Sequence, residues 1–142
     1  RHQASGDIGL GFVRGFGLKR GAIASSVAHD AHNLIVAGTH DADIFAAAVQ
    51  LVRIRGGFCV VADGEVLADC PLPIAGLMSD QPADTLREQL GRVRSAAADI
   101  GCTVRRPFMA LSFLSLSVIG TLKVTDQGLI DVDRFEPVSV LA

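Results

Sequence analysis

The sequence predicts an α+β domain with a mixed, mostly antiparallel sheet of about seven or eight strands and two main helices. Three observations carry this prediction: two long segments with apolar residues at helical spacing, a larger number of short apolar segments, and turn-forming dipeptides between them. With 142 residues, the chain is long enough for a single domain over residues 1–142 and too short for a large barrel enzyme.

Composition and charge exclude several classes of protein. Hydrophobic residues make up 49% of the chain, charged residues make up 20%, and the formal net charge is -2. This balance fits neither a disordered acidic tail nor a strongly basic nucleic-acid-binding protein. The longest apolar stretch, residues 108–119, is interrupted by serines and is shorter than the roughly 18 to 20 residues of a membrane span, so no membrane partner is expected.

The cysteine spacing indicates the cellular location of the chain, and the first residue bears on whether a segment precedes it. Cys59, Cys70 and Cys102 have spacings that match neither a disulfide framework nor a metal-binding cysteine knuckle. A reducing cytoplasm is therefore the expected location. The chain opens with Arg1 and not with Met, which predicts that the encoded protein carries an upstream segment.

In the first third of the chain, short apolar segments between glycines predict strands. Its glycines occur as G-x-G-x-x-x-G, one residue longer than the dinucleotide-binding fingerprint, and the apolar residues between them predict short strands within residues 12–18 and 22–27. Lys19 and Arg20 are interpreted as a solvated turn, with a phosphate-facing pair as the alternative. Residues 34–39 are apolar and β-branched, which is typical of a strand buried on both faces.

Two helices are predicted from apolar periodicity. The first begins at Asp41, whose side chain is expected to cap it, and ends at Gly56 and Gly57. Its predicted core face comprises Ile44, Ala48, Leu51 and Val52. The second begins near Pro82 and ends at Gly101. Its predicted core face comprises Leu86, Leu90, Val93, Ala97 and Ile100.

Hairpins are predicted on either side of the second helix. Asp63-Gly64, which tolerates the positive φ of a type I′ turn, joins residues 57–62 to residues 65–68. A closing hairpin pairs residues 122–125 with residues 129–132. Between the second helix and this hairpin, residues 107–119 mix apolar residues with serines and predict one bulged strand or two short strands.

The polar cluster His29-Asp30-Ala31-His32-Asn33 stands between two apolar runs. Two histidines and an aspartate can bind a divalent metal or exchange protons near neutral pH. In an extended strand His29 and His32 would point to opposite faces, so joint action requires a turn, which Asp30 and Asn33 favour. Three interpretations stay open: a hydrogen-bonded structural corner, the lining of a ligand site, and direct metal ligation.

Other candidate features are weaker. The sequence motifs of zinc nucleobase deaminases, metalloproteases, α/β-hydrolases and P-loop proteins do not occur. Cys59 is interpreted as a small core residue rather than a nucleophile, and Cys102 has only a slightly better claim to reactivity. Residues 72–80 form an apolar, irregular loop that either plugs the sheet edge or presents Met78, Ser79 and Asp80 to a ligand or a neighbouring domain.

Three segments of the chain resemble the C-terminal domain of the microbial adenine deaminases, members of the amidohydrolase superfamily. In the family's order, they are residues 15–33 (GFGLKRGAIASSVAHDAHN), 72–80 (LPIAGLMSD) and 107–114 (PFMALSFL). The resemblance extends from Arg1 to Phe135. The chain departs from the family at Ala31, where Ser is usual, and at Ala110, where Thr is common, so a hydroxyl role at either position would be lost.

The resemblance implies a parent enzyme that hydrolyses adenine to hypoxanthine and ammonia in purine salvage. In that family a preceding barrel domain holds manganese or iron, which activates water. The barrel and adenine are thus the implied partners, and a homo-oligomer stays open.

For this chain the resemblance implies no metal ligand and no activity in isolation. The domain is expected to pack on the barrel and help cover the active site, with a non-catalytic interaction or small-molecule-binding domain as the alternative. The candidate catalytic residues are His29, Asp30 and His32, and the candidate substrate-binding residues are Asn33, Ser79 and Asp80.

Overall fold

The fold is an α+β arrangement of two separate sheets, as the computed structural model of residues 6–141 shows. The elements in this range are β1 (Ala22–Ser25), β2 (Ile35–Gly38), α1 (Asp41–Arg53), β3 (Gly57–Ala62), β4 (Glu65–Pro71), α2 (Ala83–Asp99), α3 (Pro107–Ser112), β5 (Leu122–Thr125), β6 (Gly128–Asp131) and β7 (Glu136–Val138). Seven strands in the described range agree with the prediction. In place of one mixed sheet, however, they form two antiparallel sheets in the orders β2-β1-β3-β4 and β5-β6-β7.

The four-stranded sheet is covered by helices on both faces. Successive residues of a strand point to opposite faces. Accordingly, Ala22 and Ala24 of β1 pack in a cluster with Leu51 of α1, while Ile23 packs in a cluster with Val93 of α2. All four residues of β1 are buried. Coverage on both faces explains why β1 and β3 read as nearly continuous apolar runs although their pairing is antiparallel.

The strand expected to be buried on both faces lies at an edge of the sheet. Of the residues in β2, Ala37 alone is buried, so that prediction for residues 34–39 is wrong. The two inner positions belong to β1, which lies between β2 and β3, and to β3, which lies between β1 and β4. The strand predicted within residues 12–18 does not form, although Phe16 is buried in the core on the α2 side of the sheet.

The core face of α1 differs from the predicted one. Its buried residues are Asp43, Ala47, Gln50 and Leu51. Val52, predicted to be in the core, is 68% exposed. Asp43 Oδ1 accepts a hydrogen bond from the Gly64 N–H at 2.8 Å, and Gln50 Nε2 donates one to Asp69 Oδ2 at 2.7 Å. The hairpin thus supplies partners that allow these polar side chains to be buried, which an apolar pattern cannot register.

The predicted helix ends and the first hairpin are largely confirmed. Pro82 is the N-cap of α2, and the predicted apolar face of this helix packs in the core. The predicted cap of α1 is wrong, because the N-cap is His40 and no side chain caps the helix. Asp63 and Gly64 have φ values of 55° and 79°, as a type I′ turn between β3 and β4 requires.

Residues 107–115 form helical turns, which corrects the strand prediction for residues 107–119. They contain α3 and a 3₁₀ turn at Phe113–Ser115. Pro107 suits the first helical position, where its missing N–H would have no partner in any case. Phe108 and Leu111, three residues apart, bury one face of the helix. The helix is therefore held by its contacts with the sheet rather than by its own length.

The three-stranded sheet contains the predicted closing hairpin, β5–β6, and adds β7. No residue of its three strands is buried. Gly11 lies against the side chain of Val124, so the opening segment approaches this sheet closely. Lys123 Nζ donates a hydrogen bond to the Phe113 carbonyl at 2.9 Å, which links the sheet to the 3₁₀ turn. Within residues 6–141, no helix is long and apolar enough to cross a membrane.

Candidate functional site

The polar cluster of residues 29–33 forms a turn between β1 and β2, which we call the histidine turn. The His32 N–H donates a hydrogen bond to the Ala28 carbonyl at 2.6 Å, and the Ala28 N–H donates one to His32 Nδ1 at 3.3 Å. The rings of His29 and His32 meet edge-on, with their centroids 5.5 Å apart. The turn that joint action of the two histidines requires is therefore present.

The hydrogen bond to His32 Nδ1 determines what this side chain can do. Because Nδ1 is an acceptor, neutral His32 carries its proton on Nε2 and offers a donor there. The backbone of His32 has a φ of 52°, a conformation that is uncommon for residues other than glycine and that is found repeatedly at functional sites. His32 is thus oriented as a hydrogen-bond donor.

His29 is anchored through its backbone. Its N–H donates a hydrogen bond to the Ser112 carbonyl at 3.2 Å, and its carbonyl accepts one from Ser115 Oγ at 3.0 Å. Its ring lies against Phe113, with 5.3 Å between ring centroids. Within residues 6–141, neither ring nitrogen of His29 makes a hydrogen bond. The backbone is held by the helical segment while the imidazole nitrogens stay available to a ligand or partner.

The turn separates two cavities. His29 lines one with a volume of about 560 Å³. Asp30, His32 and Asn33 line the other, of about 420 Å³, together with residues that include Leu77 of the 72–80 loop. The cluster therefore contributes side chains to two adjacent openings rather than to one.

The 72–80 loop is anchored at the middle of its turn and exposed on either side of it. The buried Ser26 Oγ donates a hydrogen bond to the Gly76 carbonyl at 2.6 Å and accepts one from the Gly57 N–H at 2.7 Å. Ile74 and Met78 are 46% and 58% exposed. Both alternatives for this loop thus have support, since Gly76 at its turn packs against the fold while the flanking Ile74 and Met78 present exposed apolar side chains.

Ser79 and Asp80 are not brought to the histidine turn. Ser79 Oγ accepts a hydrogen bond from the Gln81 N–H at 3.0 Å, and Asp80 Oδ1 accepts one from Gln81 Nε2 at 2.9 Å. Neither side chain lines either of the two cavities. Of the six candidate site residues, His29 lines the first cavity, and Asp30, His32 and Asn33 line the second.

The described residues do not fit a divalent metal centre. Within residues 6–141, no group of three or more His, Cys, Asp or Glu side chains is placed to hold a metal ion. No metal-dependent step is assigned to these residues.

Two of the thiols are part of the core. Cys59 is fully buried, as predicted, and burial raises its pKa to about 12, with a smaller effect of the charge on Asp69. Burial also raises the pKa of Cys70 to about 11. The charge on Asp69 raises this pKa by a smaller amount, and the charge on Arg92 lowers it. Both thiols stay protonated at neutral pH, when a nucleophile would need to be a thiolate.

The larger cavity contains residues that the sequence interpretation missed. Arg94 of α2 and the neighbouring Arg105 and Arg106 line it, together with Phe58 and Phe108. Arg94 is not among the residues of the predicted core face of this helix. The dipeptide at 105–106 is a signal that could have been used, but the strand interpretation of the following segment obscured the corner that α3 forms there.

The family is decided by comparison with known proteins. The family model of the adenine deaminase C-terminal domain matches residues 1–136. The chain belongs to that family. This finding confirms the resemblance seen in the sequence.

Named adenine deaminases are similar to this C-terminal domain over almost its whole length. The adenine deaminase of Brucella abortus is 57% identical over 136 residues, which is 96% of this chain and 23% of that protein. The adenine deaminase of Desulfatibacillum aliphaticivorans is 54% identical over 140 residues, 99% of this chain and 25% of that protein. The adenine deaminase of Dehalococcoides mccartyi is 52% identical over 136 residues, which is 96% of this chain and 24% of that protein. The adenine deaminase C-terminal domain thus spans about a quarter of the length of these relatives.

The three segments that carry the family resemblance meet at the histidine turn. Ser26 of the first segment binds the carbonyl of Gly76 in the second. His29 of the first segment binds the carbonyl of Ser112 in the third. Segments far apart in the sequence of this adenine deaminase C-terminal domain therefore build one corner.

Proposed function

We propose that this chain is the C-terminal part of an adenine deaminase, an enzyme that hydrolyses adenine to hypoxanthine and ammonia. The observation that carries the proposal is the 57% identity, over 96% of the chain, to the Brucella abortus protein of that name. Because the reaction consumes a free purine base, we assign it to purine salvage. The buried thiols of Cys59 and Cys70 suit the reducing cytoplasm.

In this proposal the histidine turn helps to cover the substrate site of the complete enzyme. Asn33 has an amide that can pair with the N6 and N7 edge of adenine, and His32 Nε2 can donate a hydrogen bond. Asp30 is exposed at the tip of the turn, where its carboxylate can accept a proton or orient water. The meeting of the three family segments at this corner supports its functional role.

The proposal also includes a barrel domain on which this domain packs. Exposed apolar side chains support such a contact, because large apolar patches on a protein surface mark interaction sites. In the 72–80 loop they are Ile74 and Met78, and beside the three-stranded sheet they include Ile119, Leu122 and Phe135.

A chimaera tests whether the chain can serve an adenine deaminase. This chain would replace the matched residues of the Brucella abortus enzyme, and conversion of adenine would be followed by ultraviolet absorbance with and without manganese. We expect the chimaera to convert adenine and the isolated chain to be inactive under both conditions. A folded chimaera that lacks activity would contradict the proposal. Activity of the isolated chain that survives repurification would show that it builds its own catalytic site.

Single substitutions in the chimaera test the role of the turn. We expect Asn33→Ala and His32→Ala each to lower kcat/KM on the order of tenfold, as loss of a hydrogen bond to substrate would do. His40→Ala is the matched control, because His40 is exposed at the start of α1. If the turn variants lower only the thermal stability and leave kcat and KM unchanged, the turn is a structural corner.

A second candidate function is a purely structural interaction domain, which the exposed Ile74 and Met78 favour. The double substitution Ile74→Ser and Met78→Ser in the chimaera distinguishes the two. A changed subunit assembly on size-exclusion chromatography, with unchanged kcat in the assembled fraction, would favour the structural function. A loss of kcat with unchanged assembly would favour a role at the substrate site.

A further inference from the structure

The cavity of about 560 Å³ beside His29 lies between the sheet and its helical cover. Its wall includes Phe58 of β3, Arg94 of α2, and the corner at Arg105 and Arg106 where the chain enters α3. Its volume falls within the roughly 300–1,000 Å³ of small-molecule sites. It is therefore large enough for an organic ligand and not only for solvent.

The charges of this cavity have one sign. Arg94, Arg105 and Arg106 are its formally charged residues, whereas the whole chain has a net charge of -2. None of the three guanidinium groups forms an ion pair or hydrogen bond with residues 6–141, whereas Arg20, Arg87 and Arg134 are paired with carboxylates. Like charges gathered around one opening repel each other, and an anion placed between them removes that cost.

The inner wall of the cavity is aromatic. Phe58 and Phe108 lie with their ring centroids 4.9 Å apart, and Phe113 contacts His29 with 5.3 Å between centroids. Phe108 is buried, Phe58 is half-buried and Phe113 is 37% exposed, so the ring surfaces extend from the interior to the opening. Phenylalanine rings of this kind bind a flat ring by stacking or by edge contact.

We infer that this cavity binds a ligand in which a flat aromatic ring is joined to a phosphate group, the class to which nucleoside monophosphates belong. The guanidinium groups match the geometry of phosphate oxygens, because each presents a planar set of donors. The phenylalanines take the ring, and the unpaired imidazole nitrogens of His29 are available to its polar edge. This site is distinct from the opening lined by Asp30, His32 and Asn33.

Calorimetric titration of the 142-residue chain tests the inference. The probes are AMP, adenosine and inorganic phosphate, which separate the contribution of the ring from that of the anion. We expect AMP to bind at one site, with adenosine and phosphate each weaker by at least about tenfold, since each lacks half of the contacts. The affinity for AMP should fall as the salt concentration rises.

Variants assign the binding to this cavity. Arg105→Ala with Arg106→Ala should weaken AMP by about tenfold or more, whereas Arg87→Ala, at an exposed arginine of α2 paired with Asp84, should leave it unchanged. Phe113→Ala should weaken AMP and leave phosphate binding unchanged. Circular dichroism confirms that each variant is folded.

Three results would overturn the inference: no saturable binding of AMP, equal affinities for AMP and phosphate, or a folded double arginine variant that binds AMP as the unmodified chain does. The inference does not rest on the proposed deaminase function. A chain that binds AMP in this cavity while its chimaera fails to convert adenine would support the inference and contradict the proposed function.

Discussion

The two sheets of this protein differ in how completely they are buried. In the four-stranded sheet, all four residues of β1 are buried and five of the six residues of β3 are buried. In the three-stranded sheet, no strand residue is buried, and Val132 immediately after β6 is 7% exposed. The first sheet has helices on both faces, whereas within residues 6–141 the helical contact of the second sheet is made by the short 3₁₀ turn at Phe113–Ser115.

This difference shows where the stability of the chain originates. Removal of apolar area from water is the main favourable contribution to folding, and it is concentrated in the first sheet and its helices. A three-stranded sheet requires a packed apolar face to be stable, and the exposed Leu122 and Phe135 show that this one leaves apolar area uncovered. The first sheet is the stable core, and the second depends on what packs against it.

The largest difference in the free energy of unfolding is expected from truncating one isoleucine in each sheet. Ile23→Ala in β1 should lower the free energy of unfolding by about 2–5 kcal/mol, because it leaves a cavity between the sheet and α2. Ile130→Ala in β6 should cost about 1 kcal/mol or less, since the side chain is half-buried. Urea unfolding followed by far-ultraviolet circular dichroism measures both, because the chain has no Trp or Tyr. Equal losses would contradict the difference between the two sheets.

A comparable effect is expected from glycines that begin corresponding strands. Gly57 of β3 and Gly128 of β6 have φ values of 129° and 113°. A Cβ at Gly57 would overlap the Cys70 carbonyl oxygen, whereas one at Gly128 would meet nothing within 4 Å. Gly57→Ala should therefore cost about 2–4 kcal/mol and Gly128→Ala about 1–2 kcal/mol, from backbone strain alone. The comparison would fail if Gly128→Ala were the more destabilising change.

Alkaline pH should weaken the first sheet. The pKa of Cys59 rises from 9.0 to about 12 on folding and that of Cys70 to about 11, so above pH 9 the unfolded chain loses protons that the folded chain keeps. Stability is then complete below pH 9 and falls as pH rises, by up to about 1.4 kcal/mol per pH unit for each thiol. Urea unfolding at pH 8, 9 and 10 measures the slope.

The variant Cys59→Ala supplies the control for this pH dependence. It should reduce the slope between pH 9 and pH 10 to that of one thiol, whatever its effect on stability at neutral pH. A slope that is the same with and without Cys59 would show that other groups cause the alkaline loss.

The smallest effect concerns the link between the two regions. Lys123→Met removes the hydrogen bond from β5 to the Phe113 carbonyl and should cost about 0.5–1 kcal/mol. Hydrogen exchange should become faster in β5 and β6 and stay unchanged in β1 and β3, because the link holds only the second sheet. Lys19→Met, at an exposed lysine that precedes β1, is the control. Faster exchange in β1 would indicate that the sheets unfold together.

The comparison also explains which predictions from sequence were right. The hairpin turn at Asp63-Gly64 and the end of α2 at Gly101 were predictable, because each depends on the backbone preferences of a few adjacent residues. The face of α1 was not, because Asp43 and Gln50 are buried through partners on the β3–β4 hairpin, 19 to 21 residues away.

In the candidate site, too, the features set by adjacent residues were predictable and those set by distant residues were not. The polar residues of the histidine turn stood out in the sequence because apolar runs flank them. The arginines of the larger cavity did not stand out in the sequence, because they come from two segments that meet only when α3 folds back on the sheet. Ser79 and Asp80 became candidates because they end an irregular, apolar loop, and the structure turns them toward Gln81.

Local sequence was sufficient for the α+β class, for the turns, for most helix boundaries and, through three family segments, for membership of the adenine deaminase C-terminal domain family. These properties depend on neighbouring residues or on the order of motifs. Tertiary packing decided the division into two sheets, the inner position of β1, the buried face of α1 and the meeting of the family segments at one corner. The physical reason is that burial and hydrogen-bond partners come from residues distant in sequence, and no local pattern records which distant residue supplies them.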